Sequence, residues 1–163
     1  MSKIAQIQII KGWLLIALSL SSLSCNAATK TMTGLVIKIA DGDTLTILTK
    51  NHKQIKIRLT EIDAPEKSQP FGNKSKQSLA KLCFNKMAIV TTQKRDQYGR
   101  VLGRVSCNGI DANSEQVKLG MAWVYNQYVT DKSLYRLQKY ARSQKLGLWS
   151  DSKPIPPWVN RHR

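Results

Sequence analysis

Five charged residues stand where strand-like segments give way to turns. Asp43 follows the Asp41-Gly42 turn, Arg58 comes late in an apolar-alternating run, Asp63 and Glu66 lie just beyond it, and Arg100 follows Tyr98-Gly99. Carboxylates on loops are hard oxygen ligands for Ca2+ or Mg2+, and a guanidinium offers a planar fork that grips phosphate oxygens in pairs. A divalent ion and two arginines can together neutralise the charge that builds as the phosphorus of a phosphodiester becomes five-coordinate. Each residue also has a plainer use. Asp41 and Asp43 suit a turn, Asp63-Ala64-Pro65-Glu66 suits a loop with a helix-capping acid, Arg58 suits a cross-strand ion pair, and Arg100 suits a solvated surface. Only their joint occurrence points to a site.

The segments between these residues must bring them together. From Gly34 to Thr60 apolar residues recur at strand spacing: Leu35-Val36-Ile37, then Leu45 and Ile47, then Ile55, Ile57 and Leu59. With Asp41-Gly42 and Asn51-His52 as turns, this predicts a three-stranded meander. Asn73 to Cys83 is helical in character, with Leu79, Leu82 and Cys83 on one face. Two more strands are predicted, Met87 to Thr92 and Val101 to Cys107, joined by the polar loop from Lys94 to Arg100. Asn113, with Gln116 three places on, predicts the cap of a short helix that ends before Gly120. A last helix is predicted from about Asp131 to Leu146, closed by Gly147. Strands in the order three, helix, two, then helices, all too short for an open parallel sheet, predict an α+β fold with a mainly β core. The expected form is a small closed barrel of the OB type with helices packed on it.

The chain of 163 residues carries 26 Lys and Arg against 10 Asp and Glu, a formal net charge of +16. Such an excess predicts attraction to polyanions that weakens as salt rises; nucleic acid comes first, anionic membranes or cell-surface polymers next. Near the N-terminus Lys3 and Lys11 precede the apolar run Trp13 to Leu18, and small residues follow through Cys25-Asn26-Ala27-Ala28. This is the three-part pattern of a secretory leader over residues 1–28, with cleavage after Ala27 or Ala28. Its apolar run is too short to span a bilayer, so stable membrane insertion is not expected. Cys25 leaves open a lipid-bearing N-terminus, although Ser22-Leu23-Ser24 places leucine one position late for such a site. In an exported protein the remaining pair, Cys83 and Cys107, reads as a disulfide or as two small buried hydrophobes.

Several segments, in order, resemble the staphylococcal nuclease (thermonuclease) family: Val36 to Thr44, Ile57-Arg58-Leu59 with Glu61 to Glu66, Asp96 to Arg100, Gly120 to Tyr125, and Gly147-Leu148-Trp149. The resemblance covers roughly residues 32–150 and delimits a nuclease-like domain over 29–150, followed by a Pro-rich basic tail over 151–163. It implies a five-stranded OB-type barrel with about three helices. The implied activity is a Ca2+-dependent endonuclease that cuts DNA and RNA and leaves 3′-phosphate ends. By the same resemblance Asp43 and Asp63 would hold Ca2+, with the backbone carbonyl of Ala64 as a further ligand. Arg58 and Arg100 would bind the scissile phosphate, and Glu66 would orient or deprotonate the attacking water, unless metal-bound water attacks without it. Gln97 departs from the cation that the family often carries there. Tyr98, Tyr125 and Tyr128 are candidates for substrate binding, the latter two by stacking on a base or else as barrel-side packing. A secreted or periplasmic monomer acting on DNA and RNA is expected. The rival reading is an OB-type module, lipid-anchored or free, that holds nucleic acid without cutting it.

Overall fold

The computed structural model describes residues 30–161, apart from the side chain of Gln93. The leader expected over 1–28, with Cys25, and the last two residues lie outside the described residues. Five strands make the barrel: β1 (Lys30–Ile39), β2 (Thr44–Leu48), β3 (Gln54–Leu59), β5 (Met87–Arg95) and β6 (Val101–Cys107). They hydrogen-bond in the order β3-β2-β1-β5-β6, and a parallel pairing of β3 with β6 closes the ring through Ile57, Arg58 and Leu59 opposite Val101, Leu102 and Gly103. Closure gives each of these strands a neighbour on both sides over at least part of its length. Two further short pairings decorate the barrel. β7 (Ile110–Asp111) adds to β6, and β4 (Ile62–Asp63) pairs with β8 (Trp123–Val124). Helices α1 (Gly72–Cys83), α2 (Ala112–Lys118) and α3 (Ser133–Ser143) pack around it, and α4 (Pro157–Asn160) lies in the tail.

The alternation read in the sequence is the alternation of the barrel wall. Along β6 every second residue is buried, and Val36, Leu45, Ile47, Ile57, Leu59, Val90 and Val105 fill the interior with no exposed surface. The predicted meander is present, although β1 starts at Lys30, before Gly34, and β5 runs on past Thr92 to Arg95. The capping pattern on Asn113 and Gln116 is not used. Asp111 caps α2 by accepting a bond from Ser114 N–H at 2.7 Å. Asn113 is buried inside the helix, accepting from Val105 N–H at 3.0 Å and donating to Thr60 O at 2.7 Å. Partners distant in sequence outweigh the local motif because the polar edges of β3 and β6 need a donor and an acceptor there.

A second, smaller core holds the tail side of the molecule together. Trp123, Ala141, Leu148 and Trp149 are buried in it, and Phe71, Leu146 and Trp158 pack against them. The backbones of Gly120 (φ +65) and Gly147 (φ +52) cross so closely that a Cβ on either would strike the other segment, and Leu148 N–H donates to Gly120 O at 2.9 Å. Only glycine fits this crossing.

Cys83, at the end of α1, is bonded to Cys107, at the end of β6, with the Cα atoms 5.3 Å apart across a separation of 24 residues. In the chain-entropy account such a closure stabilises by about 3 kcal/mol. The Cys83→Ala/Cys107→Ala protein should therefore unfold at lower urea than the oxidised wild type by about that free energy. Coincident unfolding curves would show that the bond contributes nothing.

Candidate active site

The site is built on the turn between β1 and β2. Asp41 Oδ1 accepts from Asp43 N–H at 3.1 Å, and Leu59 N–H donates to Asp43 O at 2.8 Å, which fixes the turn against β3. Behind it a Cβ on Gly42 would collide with the Ser75 hydroxyl and the Ala64 methyl, so the turn can approach α1 only as glycine. Fully buried Gln116 donates through Nε2 to Gly42 O at 2.7 Å. In the β2–β3 register Thr44 stands opposite Arg58, which sets Asp43 and Arg58 side by side. The pairing of Asp63 with Trp123 brings the second carboxylate in from another segment.

Arg58 joins the two acids. Its Nη1 donates to the carbonyls of Leu59 and Ile62 at 2.7 and 2.9 Å, and Nη2 lies 2.8 Å from Asp63 Oδ1 and 3.1 Å from Asp43 Oδ2. Both acids are buried, Asp43 at 5% and Asp63 at 1% exposure. Asp43 also accepts from Ala64 N–H at 2.7 Å and from the Thr44 hydroxyl at 3.1 Å. Burial nevertheless pushes its carboxyl from the usual 3.8 up to about 7; Arg58 pulls it down, and neighbouring Asp41 raises it further.

These groups form the floor of an open cleft of about 940 Å³ whose rim includes Glu66, Tyr98, Arg100, Tyr125, Tyr128 and Arg161. Arg100 is steered by Asp96, which takes its Nε at 2.7 Å and its backbone N–H at 2.9 Å. Among the described residues no partner claims its two terminal nitrogens, so the fork is free for an anion. Tyr98 and Tyr128 are exposed at 74% and 51%, whereas one face of Tyr125 is covered by Trp158, stacked with centroids 5.3 Å apart at 9°. Among the described residues no three His, Cys, Asp or Glu side chains gather into a metal cage by themselves. The donor set still suits a hard cation. Two carboxylates from different segments converge on one guanidinium nitrogen, and Asp43 and Asp63 would be the residues to hold such an ion, a tolerant cation completing its shell with backbone, water or substrate oxygens.

Sequence reasoning missed four contributors. Gln116, read as part of a cap, supports the Asp41–Asp43 turn. Glu61 lines the cleft in a left-handed conformation (φ 67), with Oε1 accepting from Thr130 N–H, the Thr130 hydroxyl and Asp131 N–H at 2.6 to 2.7 Å. Burial pushes its carboxyl up, but those bonds and the charge of Arg104 outweigh it and hold the group below its ordinary value. Arg104 in turn reaches Glu61, Asp111 and Asp131, tying the β6 wall to the segment before α3. Arg161 enters the cleft from the tail. Only the left-handed backbone at Glu61 hints at any of these contacts, and a sequence does not display it.

The raised pKa of Asp43 has a consequence for stability. Its folded value of about 7 exceeds the ordinary 3.8, so the fold holds this proton more tightly than the unfolded chain does. That contribution is fully present below pH 4 and is lost as pH rises through 7. In metal-free buffer wild type should lose stability relative to Asp43→Asn between pH 4 and 8, by up to about 4 kcal/mol. Urea unfolding of both proteins with chelator checks this; curves that stay parallel would show an ordinary Asp43.

Comparison with known proteins agrees with this geometry. Residues 56–151 match the family described as staphylococcal nuclease homologue. A protein of Escherichia coli named an uncharacterized endonuclease is 47% identical over 131 residues, 80% of this chain and 85% of its own length. One of the same name from Haemophilus influenzae is 49% identical over 122 residues, 75% of this chain and 68% of its own. The micrococcal nuclease of Shigella flexneri is 42% identical over 136 residues, 77% and 78% of the two chains. With a barrel of this form and a cleft that gathers carboxylates and arginines, the chain belongs to the staphylococcal nuclease homologues and is an endonuclease, a hydrolase of nucleic acids.

Proposed function

We propose that this endonuclease is exported and Ca2+-dependent, and that it cuts both DNA and RNA to leave 3′-phosphate ends. The observation that carries the reading is the convergence of Asp43 and Asp63 on Arg58 at the floor of a cleft whose rim holds the free fork of Arg100. A cation bound to the two carboxylates would act as a Lewis acid toward a phosphate oxygen. Arg100, held through Nε by Asp96, aims two donors at that phosphate, and Arg58, anchored through Nη1 on two carbonyls and through Nη2 on both acids, adds fixed positive charge from the floor. Glu66 stands at the mouth, 40% exposed, where it can orient or deprotonate a water. Phosphate grip and aromatic stacking by exposed Tyr128 use features that DNA and RNA share, which supports action on both. Calcium is favoured because the two carboxylates leave most of the coordination shell open, and Ca2+ tolerates irregular ligand sets better than Mg2+. The leader pattern and the Cys83–Cys107 bond suit an oxidising destination, secreted or periplasmic. The product ends follow the resemblance.

The mature protein incubated with plasmid DNA and with RNA should cleave both in millimolar Ca2+ and neither in excess chelator, with phosphate on the 3′ ends. Undiminished cleavage in chelator would overturn the calcium reading. Asp43→Ala should abolish cleavage while keeping or strengthening DNA binding, because the basic surface remains and one repulsive carboxylate has gone. Binding without cleavage by wild type under every metal condition would instead favour a non-catalytic module.

Arg58→Lys keeps the charge but can reproduce neither the Nη1 anchor on two carbonyls nor the Nη2 bridge at once. Activity should fall on the order of a hundredfold, about 3 kcal/mol of transition-state stabilisation. A rate within threefold of wild type would make Arg58 merely structural.

A further inference from the structure

The tail is anchored without help from Arg161. Pro157 is buried, Trp158 stacks on Tyr125 and meets the edge of Trp123 with centroids 5.8 Å apart, and Gln69 Nε2 donates to Ile155 O at 3.2 Å. Gln69 also accepts from Glu66 N–H at 2.9 Å, so the tail and the Glu66 loop share one side chain. The turn of α4 then fixes the backbone of Arg161, whose N–H donates to Pro157 O at 3.0 Å. From this seat the guanidinium reaches into the cleft. Nη2 lies 2.7 Å from Asp63 Oδ2, and Nη1 lies 2.6 Å from Glu66 Oε1 and 3.4 Å from Asp63 Oδ1. Arg58 already holds Asp63 Oδ1 at 2.8 Å, so both oxygens of that carboxylate are engaged by arginines.

We infer that Arg161 is a further residue of the active site that occupies the cation position in the free enzyme, so that a divalent ion binds only by taking Asp63 from it. The inference rests on the reading that Asp43 and Asp63 hold the ion. Arg58 already takes Oδ1 of Asp63, so a second guanidinium on Oδ2 leaves a divalent ion to share that carboxylate with two nearby like charges, and the repulsion makes Arg161 and the ion competitors. The same docking lays Trp158 over one ring face of Tyr125, so the tail covers part of the aromatic wall as well as the acidic floor. Displacement need not unfold the tail. The Trp158 anchor can persist while the exposed side chain of Arg161 swings off Asp63 and keeps its bond to Glu66 or gives it up.

The test is a calorimetric titration of the substrate-free mature protein with Ca2+, comparing wild type, Arg161→Gln, Arg161→Lys, Trp158→Ala and Asp43→Ala. Arg161→Gln should bind Ca2+ about tenfold more tightly than wild type, the worth of one charged hydrogen bond released. Trp158→Ala, which unseats the tail, should move in the same direction, and Arg161→Lys should fall between, since an ammonium competes without the fork. Equal or weaker Ca2+ binding by Arg161→Gln would overturn the inference. So would an unchanged Ca2+ affinity accompanied by a tenfold rise in KM for DNA, which would make Arg161 a phosphate ligand. If Asp43→Ala binds Ca2+ as wild type does, the ion lies elsewhere and the underlying reading fails first; if Asp43→Ala alone loses Ca2+ and Arg161→Gln does not change, only the role of Arg161 fails.

Discussion

Two carboxylates buried side by side cannot both stay ionised without a cation beside them, and the architecture of this cleft follows from meeting that condition. Arg58 meets it by bringing one Nη2 within 3.1 Å of both Asp43 and Asp63. A buried ion pair seldom adds net stability, because the desolvation of its members offsets their attraction. The raised pKa of Asp43 shows that offset at work: even beside Arg58, burial dominates. The site is therefore one where charge is held at a cost, and more positive charge would be welcome there. That is the property a cation-binding floor requires.

Holding such a cluster demands rigid supports, and the barrel supplies them from several directions. Arg58 lies on β3, paired on one side with β2 and on the other with β6, so its backbone has neighbours on both flanks. The carbonyls of Leu59 and Ile62 fix its Nη1 and leave Nη2 for the acids. Asp43 is set by a glycine turn that only Ser75, Ala64 and Gln116 together can accommodate. Around the other wall Arg104 and Glu61 form a separate network whose members come from β6, the loop after β3 and the segment before α3. Lost hydrogen bonds within it would let the cleft mouth move relative to its floor.

The parts legible in the sequence were those with local causes. Strands showed through Val36, Leu45, Ile47, Ile57 and Leu59 because a closed barrel buries alternate residues, and period two is visible in one dimension. Asp43, Asp63, Glu66, Arg58 and Arg100 stood out because hard carboxylates and guanidiniums at turns serve few purposes jointly; the structure gathers all five in one cleft. What stayed hidden has causes far away along the chain. Asn113 and Gln116 match a capping pattern, yet their side chains reach Thr60 and Gly42, 53 and 74 residues distant. α4 spans only four residues, too few for any periodicity, and the partner of Arg161 is 98 residues away. Sequence leaves the role of Tyr125 open between stacking and packing, because its contact with Trp158 depends on how the Pro-rich tail folds back, which its composition does not display.

The distribution of charge then follows a consistent logic. The protein as a whole is strongly basic, which draws in a polyanion, yet the floor of its cleft carries Asp41, Asp43 and Asp63 with Glu66 at the mouth. A phosphate approaching that floor alone would meet like charge. Long-range attraction and local repulsion can be reconciled only if positive charge occupies the floor before or together with the phosphate. Arg58 is too fully engaged by protein acceptors to serve every oxygen, and Arg100 stands on the opposite rim. The remaining requirement falls on a small mobile cation, and in its absence on whatever cation the chain itself can bring within reach. A basic tail tethered beside the cleft is such a source: aromatic and apolar contacts seat it, and the electrostatics that make the floor suitable for a metal draw the Arg161 side chain in.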